Sequence, residues 1–211
     1  MINSVYFGTR FTTSAHTLNQ LPQDSVAEVA FAGRSNSGKS SAINTITNNK
    51  KLARTSKTPG RTQLINHFEI TAGNYLVDLP GYGYAKVSKS QIKHWRATLG
   101  RYLQQREALR CLVIVMDIRH ALSDYDWNLI EWAVEGDVAI HCLLTKSDKL
   151  GQGAAKQSLL KSQKALEDEG VLCTLQLFSS LKKTGIEDAH ELLDIHLRGP
   201  GSDIPGPPAN G

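Results

Sequence analysis

Residues 33–41 read GRSNSGKSS, between an apolar run, SVAEVAFAG, and a segment, GKSSAINTITN, that reads as the opening of a helix. Gly33, Gly38, Lys39 and Ser40 stand at the spacing G-x-x-x-x-G-K-S/T. The glycines let the backbone curl until successive N–H groups point inward as a cradle for phosphate oxygens. The helix that follows adds its positive N-terminal end. Lys39 would neutralise the outer phosphates of a nucleotide, and Ser40 would give its hydroxyl to Mg²⁺. At average residue usage an accidental match arises in about one chain of this length in a hundred, and the position between strand and helix makes accident rarer still. A strand that feeds a helix through such a loop commits the chain to a layered α/β architecture.

The rest of the chain keeps that rhythm. LINHFEIT and NYLVDLP read as two strands around a hairpin turn at Ala72, Gly73 and Asn74. SKSQIKHWRATLGRYLQQR reads as a long amphipathic helix, with Ser88 as N-cap and Gln91 completing a capping box. CLVIVMD, VAIHCLLT and VLCTLQLFS read as further strands. Helices are expected from Ser123, through AAKQSLLKSQKALEDEG, and from Thr184 with Glu187 at the box position. The expected fold is therefore α/β: a mostly parallel sheet with one antiparallel edge pair at the hairpin and helices on both faces. Residues 1–25 read as an N-terminal extension and 26–198 as the nucleotide-binding domain. Residues 199–211, GPGSDIPGPPANG, read as a flexible Gly/Pro-rich tail.

Composition narrows the setting. With 211 residues, 40% hydrophobic and 21% charged, the chain suits one compact domain and not a disordered protein. No stretch approaches the ~18 unbroken apolar residues that a membrane span requires. MINSVYFGTRFTTSAHTLNQLP has no apolar core followed by a small-residue cleavage site. A cytoplasmic protein without membrane contact is expected. Cys111, Cys142 and Cys173 each sit in an apolar run without C-x-x-C spacing, so they read as small buried hydrophobes and not as metal ligands. The seven histidines, among them His67, His94, His120 and His141, show no ligand spacing either. Nothing suggests a dimer interface, and a monomer is expected.

The base is read from LLTKSD at 143–148, which follows an apolar strand where an open sheet puts its ligand loops. An ionised Asp148 offers two acceptor oxygens. Guanine presents two donors side by side, the ring N1–H and the exocyclic amine, whereas adenine would leave a buried carboxylate unpaired. Mismatches of that kind discriminate by as much as ~10⁴-fold. Lys146 would lie along the base with its alkyl stem. FSSLKKTG then brings Ser179 and Ser180 to the end of the next strand, where backbone N–H groups meet the guanine carbonyl. DLPG at 78–81 supplies the γ-phosphate sensors: Asp78 to hold a water of the Mg²⁺ shell, and the Gly81 N–H for a γ-phosphate oxygen. In the loop KTPGRTQL, Thr62 is the candidate that completes the Mg²⁺ shell, with Thr58 as its rival. Such loops order on the γ-phosphate and loosen on hydrolysis.

GRSNSGKSS, TPGRTQ, DLPGYGYAK, TKSD and SSLKKTG, in this order, resemble the EngB (YihA, YsxC) family of bacterial GTPases, within the translation-factor-related class of P-loop GTPases. The similarity runs from about residue 10 to residue 198 and leaves out only the Gly/Pro tail. The resemblance implies a P-loop GTPase domain that binds GTP and GDP with Mg²⁺ and assists assembly of the large ribosomal subunit, and whose loss disturbs growth and septation. Nucleotide contacts are then expected from Gly33, Arg34, Ser35, Asn36, Ser37, Gly38, Lys39 and Ser40; from Gly60, Arg61, Thr62, Gln63 and Leu64; and from Asp78, Leu79, Pro80 and Gly81. Thr145, Lys146, Ser147 and Asp148, with Phe178, Ser179 and Ser180, complete the set around the base.

Catalysis leaves alternatives open. Lys39, Thr62 and Gly81 would act on the γ-phosphate. Many GTPases orient the attacking water with a glutamine directly after the D-x-x-G glycine; here that position is Tyr82. Arg61 is a candidate finger, or a solvated or RNA-facing loop residue. Asn36 matches the asparagine with which related GTPases hold a potassium ion beside the phosphates, or else it only stabilises the turn. Unassisted hydrolysis is expected at or below ~10⁻³ per second in any of these cases.

The charge, +4 overall, is concentrated. Lys50, Lys51, Arg54, Lys57 and Arg61 precede the sensors, and residues 38–68 contain no acid. On the helix after DLPG, Lys86, Lys89, Lys93 and Arg96 fall on one stripe, and Ile92, Trp95, Leu99, Tyr102 and Leu103 on another. The apolar stripe is expected on the sheet. The basic stripe is either a solvated face or a surface for ribosomal RNA. A switch in large-subunit assembly is the leading expectation; a septation or scaffold protein with structural nucleotide and a metabolic P-loop enzyme are the alternatives.

Overall fold

The computed structural model describes residues 2–53, 64–81 and 89–197, the side chains of 89–96 excepted. Seven strands form one sheet: β1 Arg10–Ala15, β2 Ala27–Gly33, β3 Ile65–Thr71, β4 Asn74–Asp78, β5 Leu109–Asp117, β6 Ala139–Thr145 and β7 Cys173–Leu177. Their order is β1-β3-β4-β2-β5-β6-β7. Among the described residues five α-helices accompany them: α1 Lys39–Ile46, α2 Lys89–Gln105, α3 Asp124–Glu135 and α4 Gln152–Asp168 between strands, and α5 Ile186–Leu197 after the last. Strands β4, β2, β5, β6 and β7 pair in parallel. The chain crosses over between them through helices, as parallel pairing requires.

The core follows from the alternation of side chains along each strand. Ala30 and Ala32 of β2, Leu112, Ile114 and Met116 of β5, and Cys142 and Leu144 of β6 face α2, α3 and α4, where Leu99, Tyr102, Leu103, Leu129, Ile130 and Ala133 cover them. Val29 and Phe31, Val113 and Val115, and Leu143 face the other way, under Ile43 and Ile46 of α1 and Ala189 and Leu193 of α5. The expected apolar stripe of α2 packs on the sheet at Leu99, Tyr102 and Leu103; the side chains of Ile92 and Trp95 lie outside the described residues. Cys111 and Cys142 are buried and Cys173 is half-buried, all as free thiols. Among the described residues no group of His, Cys, Asp and Glu forms a metal cluster. No helix among them is long and apolar enough to cross a membrane.

Two expectations change. The antiparallel part of the sheet has three strands and not two, because β1 pairs antiparallel with β3 as β3 does with β4. Residues 10–15, expected in an extension, are thus the edge strand of the same sheet. Ahead of it a 3₁₀ turn at Ser4–Gly8 is clamped to α5: Tyr6 Oη donates to Asp194 Oδ1 (2.6 Å), the Asn3 N–H donates to His190 Nδ1 (3.0 Å), and His190 Nε2 donates to the Ile46 carbonyl (2.9 Å). The last helix starts at Ile186 and not at Thr184, because the backbone of Thr184 is engaged with that of Ser179 in a bridge at 3.1 and 3.2 Å. The N-cap at Ser123 is present, with Asp126 closing the capping box. The expected N-cap Ser88 and the tail 199–211 lie outside the described residues.

Two buried titratable groups make the fold acid-sensitive. His141 on β6 is buried, with Nδ1 at 2.7 Å from Thr174 Oγ1, and burial pushes its pKa from 6.5 down to about 4. Glu28 on β2 is fully buried. Burial alone would raise its pKa, but the imidazole of His67 and the guanidinium of Arg106 beside it hold it at about 2, against an ordinary 4.5. Both signs agree. The unfolded chain takes up a proton at His141 below pH 6.5, and at Glu28 below pH 4.5, that the folded chain resists. The stabilisation is therefore intact above 6.5, declines toward pH 4 through His141 and toward pH 2 through Glu28, by on the order of 3 kcal/mol each. Burial lowers His190 and His196 in the same direction. Thermal unfolding followed from pH 7 to pH 3 should show the decline, and His141→Gln should flatten it between 6.5 and 4. Superimposable profiles for wild type and variant in that window would rule His141 out.

Candidate nucleotide-binding site

Because β2, β4, β5, β6 and β7 run parallel, their carboxyl ends share one edge of the sheet, the place where open α/β sheets bind ligands. Gly33, Asp78, Asp117 and Thr145 are the last residues of four of these strands, and Phe178 follows the fifth. The sheet therefore brings together five stretches far apart in sequence.

The loop from Gly33 to Gly38 is shaped by its two glycines. A Cβ at Gly33 would lie 2.5 Å from the Val115 carbonyl oxygen of β5, so only glycine lets the strands approach there. Gly38 has φ +104, and a Cβ would crowd Thr145 Oγ1 at 3.2 Å. Between them Asn36 takes a left-handed φ of +65, a conformation asparagine tolerates better than most residues. The loop closes on itself through the Ser37 N–H to the Arg34 carbonyl (2.9 Å) and opens directly into α1 at Lys39. Ser35 Oγ and Ser37 Oγ are buried without a hydrogen-bond partner. Arg34 is exposed, with its guanidinium over the Tyr125 ring of α3 at 5.8 Å from the centroid.

The Lys39 ammonium is paired with Asp78 Oδ1, both side chains about nine-tenths buried at 11% and 10% exposure. The expected phosphate lysine and the expected magnesium carboxylate thus meet at one point. Leu79 donates its N–H to the Phe31 carbonyl (3.0 Å), which lays the D-x-x-G stretch beside the phosphate loop, and the Gly81 Cα region faces Gly33 and Ser35. Ser40 is half-buried at the start of α1. The paired carboxylate and ammonium, with the Ser40 hydroxyl on the residue after Lys39, form a hard-oxygen and cationic set that fits a magnesium nucleotide, and the unpartnered Ser35 hydroxyl of the same loop fits a polar ligand.

The base loop is joined to this set. Thr145 Oγ1 lies between the Ser37 carbonyl and the Met116 carbonyl (2.9 Å for the latter). Lys146, in a left-handed conformation with φ +57, reaches back so that Nζ donates to the Asn36 carbonyl (2.7 Å) and to Asp117 Oδ2 (2.9 Å). Ser179 Oγ donates to Asp148 Oδ1 at 2.5 Å, while the Phe178 N–H donates to the Leu144 carbonyl (2.8 Å) and the Ser147 N–H to the Phe178 carbonyl (3.1 Å). Ser180 is half-buried next to them. Pro80 and Leu64 are half-buried at the ends of their segments. Gly60, Arg61, Thr62 and Gln63, with Thr58 and Tyr82, lie outside the described residues.

Sequence reasoning missed Asp117. It ends β5, receives Arg119 and Lys146, and those two, Arg119 first, hold its carboxyl well below the usual carboxylate range although burial works against them. The available signal was an acid closing the apolar run CLVIVMD at the ligand edge, with an arginine two residues on.

Comparisons agree with this geometry. The family described as 50S ribosome-binding GTPase matches residues 28–146. The probable GTP-binding protein EngB of Escherichia coli (strain K12) is 53% identical over 194 residues, 92% of each chain. Among solved structures, a probable GTP-binding protein EngB superimposes with a TM-score of 0.64 at 21% identity, covering 78% of this chain and 95% of that one. Era in complex with MgGDPNP and a segment of 16S ribosomal RNA superimposes with a TM-score of 0.62 at 18% identity, covering 83% of this chain and 58% of that one. The two superpositions speak for the fold, a P-loop GTPase fold; the sequence identity speaks for the family. The chain belongs to the EngB family of GTP-binding proteins and carries its GTPase domain.

Proposed function

We propose that the protein is a cytoplasmic, monomeric GTP-driven switch in assembly of the large ribosomal subunit, with slow hydrolysis until a partner engages it. The observation that carries the nucleotide part is the junction of Lys39 with Asp78 and of Lys146 with the Asn36 carbonyl, which joins three separate sequence motifs at one edge of the sheet. In this reading the loop N–H groups from Arg34 to Gly38 cradle the phosphates, that of Ser37 excepted because it donates to the Arg34 carbonyl, and Lys39 leaves Asp78 to neutralise the β- and γ-phosphates. Ser40 and Thr62 would hold Mg²⁺ directly and Asp78 through a water; the ion, when bound, offsets phosphate charge. Gly81, with Gly60, Arg61, Gln63 and Leu64 in the preceding loop, reports the γ-phosphate. Asp148 pairs with the guanine edge, and Thr145, Ser147, Phe178 and Ser180 shape its loop. Asn36 is the candidate potassium ligand; its left-handed backbone fits the turn role as well.

The ribosomal part is supported by the family's description and by charge: Lys86, Lys89, Lys93 and Arg96 follow the D-x-x-G sequence directly, and Lys50 and Lys51 are exposed before the preceding loop. A surface of that sign binds a phosphate backbone and loses affinity steeply with salt. A role in septation would follow from failed subunit assembly.

GTP hydrolysis measured with and without purified large ribosomal subunits, in potassium and in sodium at matched ionic strength, tests the reading. Alone the protein should turn over at or below ~10⁻³ per second. Subunits should raise that by an order of magnitude or more, and the double change Lys93→Glu, Arg96→Glu should remove the stimulation. A potassium-specific increase lost in Asn36→Ala would credit Asn36. Hydrolysis indifferent to subunits, together with no GTP-dependent co-sedimentation, would sink the ribosomal assignment.

A further inference from the structure

One carboxylate at the end of β5 holds two cations from different parts of the site. Asp117 Oδ1 accepts from Arg119 Nε (2.9 Å) and from the Arg119 backbone N–H (3.1 Å), and Oδ2 accepts from Arg119 Nη2 (2.6 Å). Oδ2 also accepts from Lys146 Nζ at 2.9 Å, and that same Nζ donates to the Asn36 carbonyl at 2.7 Å. The geometry divides the labour. The two guanidinium nitrogens grip the carboxylate as a planar fork and leave it one orientation. Lys146 is a point charge on a long flexible stem, and by itself nothing in its chemistry would fix where Nζ lies. Asp117 and the Asn36 carbonyl fix it between them. Lys146, at φ +57, holds left-handed backbone that disfavours a lysine unless it is held, whereas Asn36, at φ +65, takes it more readily. Exposure rises outward along the chain of contacts, 14% for the side chain of Asp117, 31% for Lys146 and 43% for Arg119, so the link is sheltered at its carboxylate. Arg119 is also close enough to Asp148 for the two charges to attract.

We infer that Asp117, oriented by Arg119, is a positioning residue for guanine-nucleotide recognition: it sets Lys146 across to the Asn36 carbonyl and so locks the base loop and the phosphate loop into one unit. The inference rests on the reading that Lys146 and Asp148 meet the base. Asp117 itself touches no nucleotide in this role. Its effect therefore runs through Lys146, and that is a measurable property.

The experiment is a double-mutant cycle on the full-length protein with Mg²⁺, reading GDP affinity and GDP release rate with a fluorescent GDP. Asp117→Asn keeps the shape and removes the charge; it should weaken GDP by about 10- to 100-fold, the worth of a charged hydrogen bond, mostly through faster release. Lys146→Ala should weaken it at least as much. If Asp117 acts through Lys146, adding Asp117→Asn to Lys146→Ala should change affinity by less than about twofold. Losses that multiply in the double variant overturn the inference, as does an Asp117→Asn protein within twofold of wild type. Should Asp117→Asn fail to fold, as judged by melting without nucleotide, Arg119→Ala carries the same cycle from an exposed position, with a smaller loss that must likewise vanish beside Lys146→Ala. Asp148→Asn separates the two claims. If it abolishes guanine preference while the cycle is additive, only the positioning role fails; if guanine preference survives it, the reading of the base loop fails.

Discussion

Asp148→Asn should turn a guanine-selective protein into one that prefers xanthine nucleotides. A carboxylate presents two acceptors to the N1–H and the 2-amino group of guanine; an asparagine presents one acceptor and one donor. Against guanine the new donor meets the 2-amino group, donor against donor. Xanthine carries an oxygen in place of that amine and accepts from the amide. Sites built on such complementarity reject the wrong partner by about 10⁴-fold, so the loss of GDP affinity should approach that size, with a corresponding gain for XDP. The rest of the loop should survive, because Ser179 Oγ, which donates to Asp148 Oδ1 at 2.5 Å, can donate equally to an amide oxygen. Titration of the variant with GDP and XDP is the check. Equal weakening toward both bases would mean that the substitution had damaged the loop and that Asp148 is not what reads the base.

What the sequence made legible has a physical pattern. The strands β2, β4, β5 and β6 are near-continuous apolar runs because both faces of a parallel sheet are covered, and the helices between them have to be long enough to cross over. The phosphate loop is legible because two of its positions admit glycine and little else, at Gly33 for close approach to Val115 and at Gly38 for a positive φ. The edge strand β1 was hidden for the opposite reason. RFTTSA buries one residue, Ala15, so no apolar alternation marks it; its place is fixed by pairing with β3 across more than fifty residues, as Ser14 with Asn66. Thr184 looked like an N-cap because threonine before a glutamate suits one, but a strand-like bridge to Ser179 took its backbone first. The partners of Asp117 and Glu28 were hidden likewise. Lys146 to Asp117 and Arg106 to Glu28 are contacts between residues 29 and 78 positions apart, and side-chain spacing carries no trace of them.

Glu28→Ala should be the most destabilising single substitution outside the hydrophobic core. Glu28 is fully buried, yet every lobe of its carboxylate is engaged: Tyr102 Oη donates to Oε2 (2.7 Å), and Arg106 Nε and Nη2 (3.0 and 2.5 Å) and Ser25 Oγ (2.7 Å) donate to Oε1, with His67 Nε2 3.4 Å away. Arg106 continues to the Pro22 carbonyl at 2.7 Å. Truncation to alanine leaves the Arg106 charge half-buried and the Tyr102 hydroxyl fully buried, both without their acceptor. Breaking a buried pair from one side costs about 3–5 kcal/mol, a large part of the ~5–15 kcal/mol that holds a domain together. For a chain of this size the melting temperature should fall by roughly 10 °C, and the decline in stability below pH 4.5 should shrink with it. Removing both partners discriminates between charge and packing. Glu28→Met with Arg106→Met leaves no orphaned charge and should recover most of the loss, since apolar replacement of a buried pair is often neutral. Tyr102 lies on α2 and Arg106 just beyond its end, so Glu28 also ties the end of the helix that follows the D-x-x-G stretch to strand β2. The α2 end should accordingly exchange its amide hydrogens faster in Glu28→Ala, with the amides of β5 and β6 unchanged relative to global unfolding. A denaturation curve within 1 kcal/mol of wild type would place the carboxylate in contact with water and remove Glu28 as the source of acid sensitivity.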